Sequence, residues 1–297
     1  MEKYYGELAA LATSIFWTVT ALSFEFASKR VGSLAVNILR LILGLAFISC
    51  FTWISRGYLI PTDATSHQWI WLSLSGIVGF TFGDYFLFKA FAVISSRIAL
   101  LVMTLAPPLT AFIGWIWLGE VMNTKQVIAM FIVILGIGMA IFSRGGEKKE
   151  WKIRYSLSGL FFAFLGMIGQ AGGLVLSKYG MGEYNAFAST QIRIIAGAIG
   201  FIIIILILKK TFLVRKALKD RPGMTGISTG AFFGPFLGVS FSLMAIKFTE
   251  TGIAATLMSL SPILLILPSY LIFKQKITTS EIIGAFISIF GVTIFFL

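Results

Sequence analysis

The sequence predicts an all-α polytopic membrane protein: ten transmembrane helices arranged as two inverted five-helix repeats. Three observations carry this reading: a composition too apolar for a water-facing surface, ten apolar runs of spanning length, and an internal repeat at a nearly fixed offset. Of 297 residues, 58% are hydrophobic and 12% are charged, against about 25% charged in a typical soluble domain. Mean hydropathy is +0.93. A chain this long with so few charges must turn most of its outer surface toward something apolar, and a helical bundle in lipid does so.

A helix needs about 20 apolar residues to cross the hydrocarbon core. The runs are 7–27, 34–55, 69–90, 98–119, 125–142, 157–177, 187–208, 223–246, 253–273 and 281–297. The longest connections, Arg56–Gln68, Ser143–Tyr155 and Lys209–Pro222, are too short for a separate soluble domain. The first run follows a single Lys3, lacks a clear cleavage site and has a counterpart later in the chain. It reads as part of the fold and not as a signal peptide.

A shift of 155 superposes Met103-Thr104-Leu105-Ala106-Pro107 on Met258-Ser259-Leu260-Ser261-Pro262. The same shift pairs Gly79 with Gly234, Gly83 with Gly238 and Gly136 with Gly291, while a shift of 153 pairs Gly6 with Gly159 and Arg40 with Arg193. The expected units are residues 1–142 and 157–297, joined by a connecting loop over 143–156. Five is an odd number of spans, so the second unit must enter the membrane from the opposite side, the arrangement found in many secondary transporters.

Loop charges test that inference. The odd-numbered connections hold 17 cations, whereas the even-numbered ones and the amino terminus hold five. Both halves share the bias, as inversion requires, and the positive-inside rule then puts both termini away from the cytoplasm.

Several function classes are excluded. The net charge of +12 lies mostly in short connections, with no basic domain to hold a phosphate backbone, so no nucleic-acid partner is expected. Cys50 is the single cysteine and His67 the single histidine, which argues against a disulfide framework or a zinc or copper site. No HExxH, P-loop or Ser/His/Asp set is present, so neither an enzyme nor a cofactor is expected.

With these residues in hand, the chain resembles the EamA-type branch of the drug/metabolite transporter superfamily. The resemblance runs over about 7–142 and again over about 157–297. It rests on Leu105-Ala106-Pro107-Pro108-Leu109 continuing to Trp115-Ile116-Trp117-Leu118-Gly119-Glu120, with Trp17, Arg40 and Gly79…Gly83 in support. The second copy departs from it: Gln275 stands opposite Glu120, and Gln170 opposite Trp17. The resemblance implies export or exchange of amino acids, drugs, sugar phosphates or nucleotide sugars. It also implies both termini in the cytoplasm, against the loop charges, so orientation stays open between the two.

Candidate site residues follow from helix breakers and buried polarity. Pro107 and Pro262 fall in mid-span of matched segments, and paired interruptions point to a transporter's central site; Thr104 and Ser259, three residues earlier, are the expected polar wall. Pro108, Pro235 and Pro268 have no proline mate and read as local bends. Gly226, Gly230, Gly234 and Gly238 recur every four residues and predict a close helix contact, as Gly79 and Gly83 do more briefly. Charges inside a membrane are costly and must be paired or face a cavity. Glu25, Arg40 and Asp84 lie at similar depth, so Arg40 is the expected partner of Asp84, and Lys89, five residues beyond Asp84, is a poor one. Arg193 has no carboxylate partner in its own half and is placed against an anionic substrate group or the interface. Trp17, amid Thr13, Ser14, Thr18 and Thr20, is assigned to the cavity wall, with Gln170 opposite.

The expectation is therefore an integral cell-membrane secondary transporter, an exporter of small metabolites with amino acids first, alternating access around a site between the repeats. Its partners would be the metabolite and the lipid bilayer, with Glu25 or Asp84 carrying the proton if transport is proton-coupled, and its state monomer or homodimer. A receptor or structural protein without transport, or a channel, is the alternative on the same fold.

Overall fold

The computed structural model describes residues 4–94, 99, 102–143, 156–266, 268, 271 and 279–295. Among them there is helix and no strand. The order is α1 (Tyr5–Val31), α2 (Ser33–Arg56), α3 (Ser66–Gly76), a π-helical segment π1 (Ile77–Asp84), α4 (Tyr85–Val93), α5 (Ala106–Leu118), α6 (Thr124–Ser143), α7 (Leu157–Met181) and α8 (Ala186–Ile207). There follow α9 (Thr211–Lys219), α10 (Arg221–Ala231), a second π segment π2 (Phe232–Gly238), α11 (Val239–Phe248), α12 (Thr251–Met258), α13 (Ser261–Leu264) and α14 (Thr279–Phe295). Six described helices are long and apolar enough to cross a membrane: Tyr5–Val31, Ser33–Arg56, Ser66–Ala90, Leu157–Met181, Ala186–Ile207 and Arg221–Phe248. Three shorter apolar helices, Ala106–Leu118, Thr124–Met139 and Ile282–Phe295, accompany them. Large apolar side chains such as Ile116, Leu135, Ile207 and Phe286 lie exposed on the outside of the bundle, a surface suited to hydrocarbon and not to water. The chain is an integral, multi-pass membrane protein.

Helix starts follow local chemistry. Thr65 and Gln68 form a reciprocal capping box at α3, and Asn123 and Gln126 exchange the same two bonds at α6. Asn185 accepts from Phe187 N and Ala188 N at α8, and Asp220 from Gly223 N at α10. Each satisfies amides that a helix amino terminus leaves without partners. Gly57 and Gly119, at φ 77° and 70°, end α2 and α5, in a conformation that costs a side chain most.

Among the described residues the helices pack in antiparallel pairs that the two halves share. α1 lies along α10–α11, α7 along α3–α4, α2 along α8, α5 along α12, and α6 along α14. Exchanging the two halves turns the α1 pair into the α7 pair and returns the α2–α8 and α6–α14 pairs to themselves. In the last pair Gly136 abuts Ser288 while Gly291 abuts Val133, so the helices in equivalent positions run in opposite directions.

Two seams carry the glycines. In one, a Cβ on Gly169 would stand 2.5 Å from Gly83 Cα and one on Gly173 would stand 2.8 Å from Gly79 Cα. Ser75 and Ser177 hydroxyls meet there at 2.7 Å, and Ser75 donates to Gly173 O at 2.6 Å. In the other, Gly226, Gly230, Gly234 and Gly238 meet Phe26, Phe24, Thr20 and Trp17 in turn. Helix backbones thus approach at Gly79 and Gly83, as small residues allow in membrane bundles, while the four-residue run makes room for the side chains of α1.

The segment read from sequence as the connection Lys209–Pro222 holds a helix, α9, and the next span begins already at Arg221. Leu213, Val214 and Ala217 of α9 pack toward α2, and its cations face out. The abundance of Lys and Arg masks this amphipathic spacing. The loop Ser143–Tyr155 lies, beyond Ser143, outside the described residues.

Candidate functional site

Four polar side chains from four helices, two from each half of the chain, meet in the interior. Asp84 closes π1 and is 6% exposed. One of its oxygens pairs with Arg40 Nη2 of α2. The other, Oδ1, accepts from Gln170 Nε2 of α7 at 2.7 Å, and the same Gln170 amide approaches Gly79 O at 3.4 Å. The fourth member, Arg193 of α8, is 5% exposed. Its guanidinium stacks 5.0 Å over Phe80 and passes Gly79, where a Cβ would stand 3.2 Å from Nη2. Arg40 lies between Phe24 and Phe88, at 5.5 and 5.6 Å.

The expected Arg40–Asp84 pair is therefore formed, and Lys89 instead sits over the rings of Tyr85 and Phe162. Gln170 was assigned to a cavity wall as the mate of Trp17, and the structure brings it onto Asp84. Depth along single helices could not show that contact, which needs the antiparallel register of α7 on π1. Trp17 is half-buried and packs on Gly238 in the opposite seam. The side chain of Glu25 lies outside the described residues.

Both π segments went unread in the sequence. π1 ends on Asp84, and π2 occupies the positions 155 residues on. Pro235, which has no proline mate, sits inside π2, so this bend does have a structural counterpart. The only local signal is the pair of glycines in each segment, Gly79 and Gly83, Gly234 and Gly238. Widened turns of this kind occur often at functional sites, because they re-aim side chains and disturb the backbone ladder.

The matched prolines also sit at breaks. α5 begins at Ala106 after a turn at Thr104-Leu105, and α13 begins at Ser261 after a turn at Ser259-Leu260. Pro107 is buried in the first turn of α5. Pro262 takes the same place in α13, and its side chain lies outside the described residues. Thr104 is buried. Ser259 donates to Thr256 O at 2.7 Å, and Ser261 donates to Ser14 O at 3.0 Å. Thr18 reaches Ser261 O at 3.3 Å, so the polar stripe of α1 docks on the second break.

One face of the bundle is tied by Glu120. Its Oε2 accepts from Thr251 N and Oγ1 at 2.9 and 2.6 Å, and its Oε1 pairs with Lys178 Nζ at 2.5 Å. Lys178 also donates to Thr249 O at 2.7 Å. The carboxylate ending the fourth-span signature thus caps α12 and holds α7, a role its sequence position did not suggest. A cavity of about 230 Å³ opens beside it, lined by Ala111, Trp115 and Gly252 among others, apart from the arginines. Nearby, burial works against the Asp63 carboxylate, but hydrogen bonds from Tyr184 (2.8 Å) and Arg56 (2.5 Å) hold it below its ordinary value of 3.8. On the other face Arg30 Nε holds Asp220 at 3.0 Å. These contacts place connections one and seven together, and the amino-terminal, fourth and eighth segments at the far end. Among the described residues no group of His, Cys, Asp and Glu could hold a metal ion.

Fold and site together describe a helical membrane bundle with a buried charged cluster built from both halves. Residues 4–142 and again 157–297 match the EamA-like transporter family, and the chain belongs to that family, within the drug/metabolite transporter superfamily. Relatives include the uncharacterized transporter YyaM of Bacillus subtilis (strain 168), 26% identical over 76% of this chain and 71% of that one. The uncharacterized transporter YoaV of the same organism is 24% identical over 48% of this chain. That match spans about half, 49%, of YoaV's length. A crystal structure described only as "Crystal structure of protein" superposes with a TM-score of 0.76 at 16% identity, covering 97% of this chain and 94% of that one; it supports the fold alone.

Proposed function

We propose that the protein is a secondary active transporter that exports small metabolites, amino acids first among them, by alternating access. Ten spans in two inverted units would rock about a site between the halves. The observation that carries this reading is the matched interruption of helices in both halves, π1 with π2 and Thr104-Leu105 with Ser259-Leu260, together with a buried charge cluster drawn from both halves that includes Asp84 at the end of π1. Matched breaks near the middle of a repeat pair are where such carriers bind substrate. Charged groups inside a membrane mark substrate or proton paths. In this reading Arg40, Asp84, Gln170 and Arg193 form the site. Thr104, Pro107, Ser259 and Pro262 supply the hinges and polar wall, and Trp17 closes the opposite seam. Glu25 and Asp84 are the proton carriers if the cycle is coupled.

The test is counterflow in proteoliposomes, using hits from a thermal-shift panel of metabolites. Saturable, counter-stimulated uptake is expected. Ionic conductance without counterflow would make it a channel, and binding with neither would make it a receptor. Arg40→Gln, Asp84→Asn and Gln170→Ala should each reduce the counterflow rate. A reporter fused to the carboxyl terminus decides orientation between the loop charges and the family expectation.

A further inference from the structure

Among the described side chains the interior cluster is not neutral. Two arginines face one carboxylate, and that carboxylate is already committed to Arg40 and Gln170. Arg193 is left with five N–H donors and, among the described residues, no hydrogen bond and no ion pair. Its Nε is buried with no acceptor, Phe80 covers one face of the guanidinium, and Asp84 acts on it only through space. Arg193 as a whole is 5% exposed, and a buried guanidinium nitrogen without an acceptor is costly. A functional role is one of the reasons a native structure keeps such a group.

The repeat shows what is missing. Arg40 and Arg193 correspond at the shift of 153, and each is the eighth residue of its helix. Arg40 has Asp84 as its carboxylate. The residue corresponding to Asp84 in the second half, at the shift of 155, is Val239, a buried valine. One half therefore holds an arginine with its acid, and the other an equivalent arginine whose acid has been replaced by a hydrocarbon. The Gln170 amide and Gly79 O meet close by as further polar groups.

We infer that Arg193 is the receptor for an oxyanion, a carboxylate or phosphate carried by the transported molecule, which takes at Arg193 the place that Asp84 takes at Arg40. The inference rests on the transport reading, and narrows the substrate to small organic anions or zwitterions. The planar guanidinium suits two parallel hydrogen bonds to such a group. A singly charged anion brings the described cluster to charge balance inside the membrane, whereas a zwitterion places its carboxylate on Arg193 and its ammonium needs a partner of its own. Among the described side chains the empty cluster carries one excess positive charge.

The experiment uses the full chain purified in detergent and paired probes that differ in one carboxylate or phosphate group. Alanine, lactate, benzoate and glucose 6-phosphate are compared by thermal shift with alaninamide, lactamide, benzamide and glucose, and inorganic phosphate probes the oxyanion alone. The expected result is that at least one anion or zwitterion stabilises the protein. Removing its carboxylate or phosphate should weaken binding by about tenfold or more, the size of one charge-assisted hydrogen bond. Carboxylate hits and phosphate hits separate the two sources of the oxyanion. Arg193→Gln should lose the same factor, and Arg193→Lys, which keeps the charge but not the fork, should fall between. No anion binding, equal binding of the uncharged probes, or unchanged anion affinity in Arg193→Gln or Arg193→Lys overturns the inference. The wild-type comparison needs no variant to fold. Counterflow of the same probes separates the two readings: anion binding without counterflow sinks transport and leaves the site standing. Counterflow of a neutral substrate that is indifferent to Arg193→Gln sinks the site and leaves transport standing.

Discussion

At the scale of the residue, the Arg40–Asp84 pair decides the electrostatics of the interior. Breaking a buried ion pair from one side leaves the other charge unpaired and costs about 3–5 kcal/mol, whereas removing both charges together costs far less. Asp84→Asn and Arg40→Met should therefore each lower the melting temperature in detergent more than the double variant does, and a cycle with additive effects would contradict the pair. Asp220 offers a test outside the spans. The hydrogen bond from Arg30, then that from Gly223 N, hold its carboxyl below its ordinary value of 3.8. A depressed carboxyl favours the folded state above that ordinary value, and the contribution disappears as pH falls through the folded one. Melting temperature measured from pH 7 down to pH about 3 should fall less steeply in Asp220→Asn than in wild type. Of these residues, the Arg40–Asp84 pair was legible from depth alone, because membrane charges need partners. Gln170 on Asp84 and Glu120 on Lys178 and Thr251 were not. Both join residues more than 50 positions apart across the two halves, and no spacing within one helix encodes that.

At the scale of the element, helix existence and seam position were readable and local geometry was not. Apolar run length located α1, α2, α7 and α8, and the four-residue glycine spacing located the α1–α10 contact. The π segments were hidden because a widened turn needs no distinctive residue, and α9 because its cations outnumber its apolar face. The seams make a prediction with an internal control on one helix. A Cβ on Gly169 would press on Gly83 backbone at 2.5 Å, while one on Gly172 meets only Val78 Cγ1 at 3.6 Å. Gly169→Ala should destabilise by about 1–3 kcal/mol through overpacking. Gly172→Ala should be neutral or stabilise by up to about 1 kcal/mol from helix propensity. Thermal melts of the two variants check this, and equal effects would mean that the α3–α7 seam is not as close as described.

At the scale of the whole molecule, the pseudo-two-fold pairing was implied by the repeat, but what closes each end was not. Arg30–Asp220 at one end joins the first half to the second, and Glu120 with Lys178 and Thr251 does the same at the other. A carrier that opens its ends in turn must part each of these contacts once per cycle. Cross-linking either end should then stop the cycle whatever the substrate. With Cys50 replaced by Ser to leave no other thiol, Arg30→Cys with Asp220→Cys and, separately, Glu120→Cys with Lys178→Cys can be bridged by a short bismethanethiosulfonate. Each bridge should abolish counterflow in proteoliposomes, and a reductant should restore it. Substrate binding measured by thermal shift should survive at least one of the two bridges, since a carrier locked open to one side still presents its site. Counterflow that continues through both bridges would mean the halves do not rock about these ends, and the symmetric seams would then be a packing solution without a part in transport.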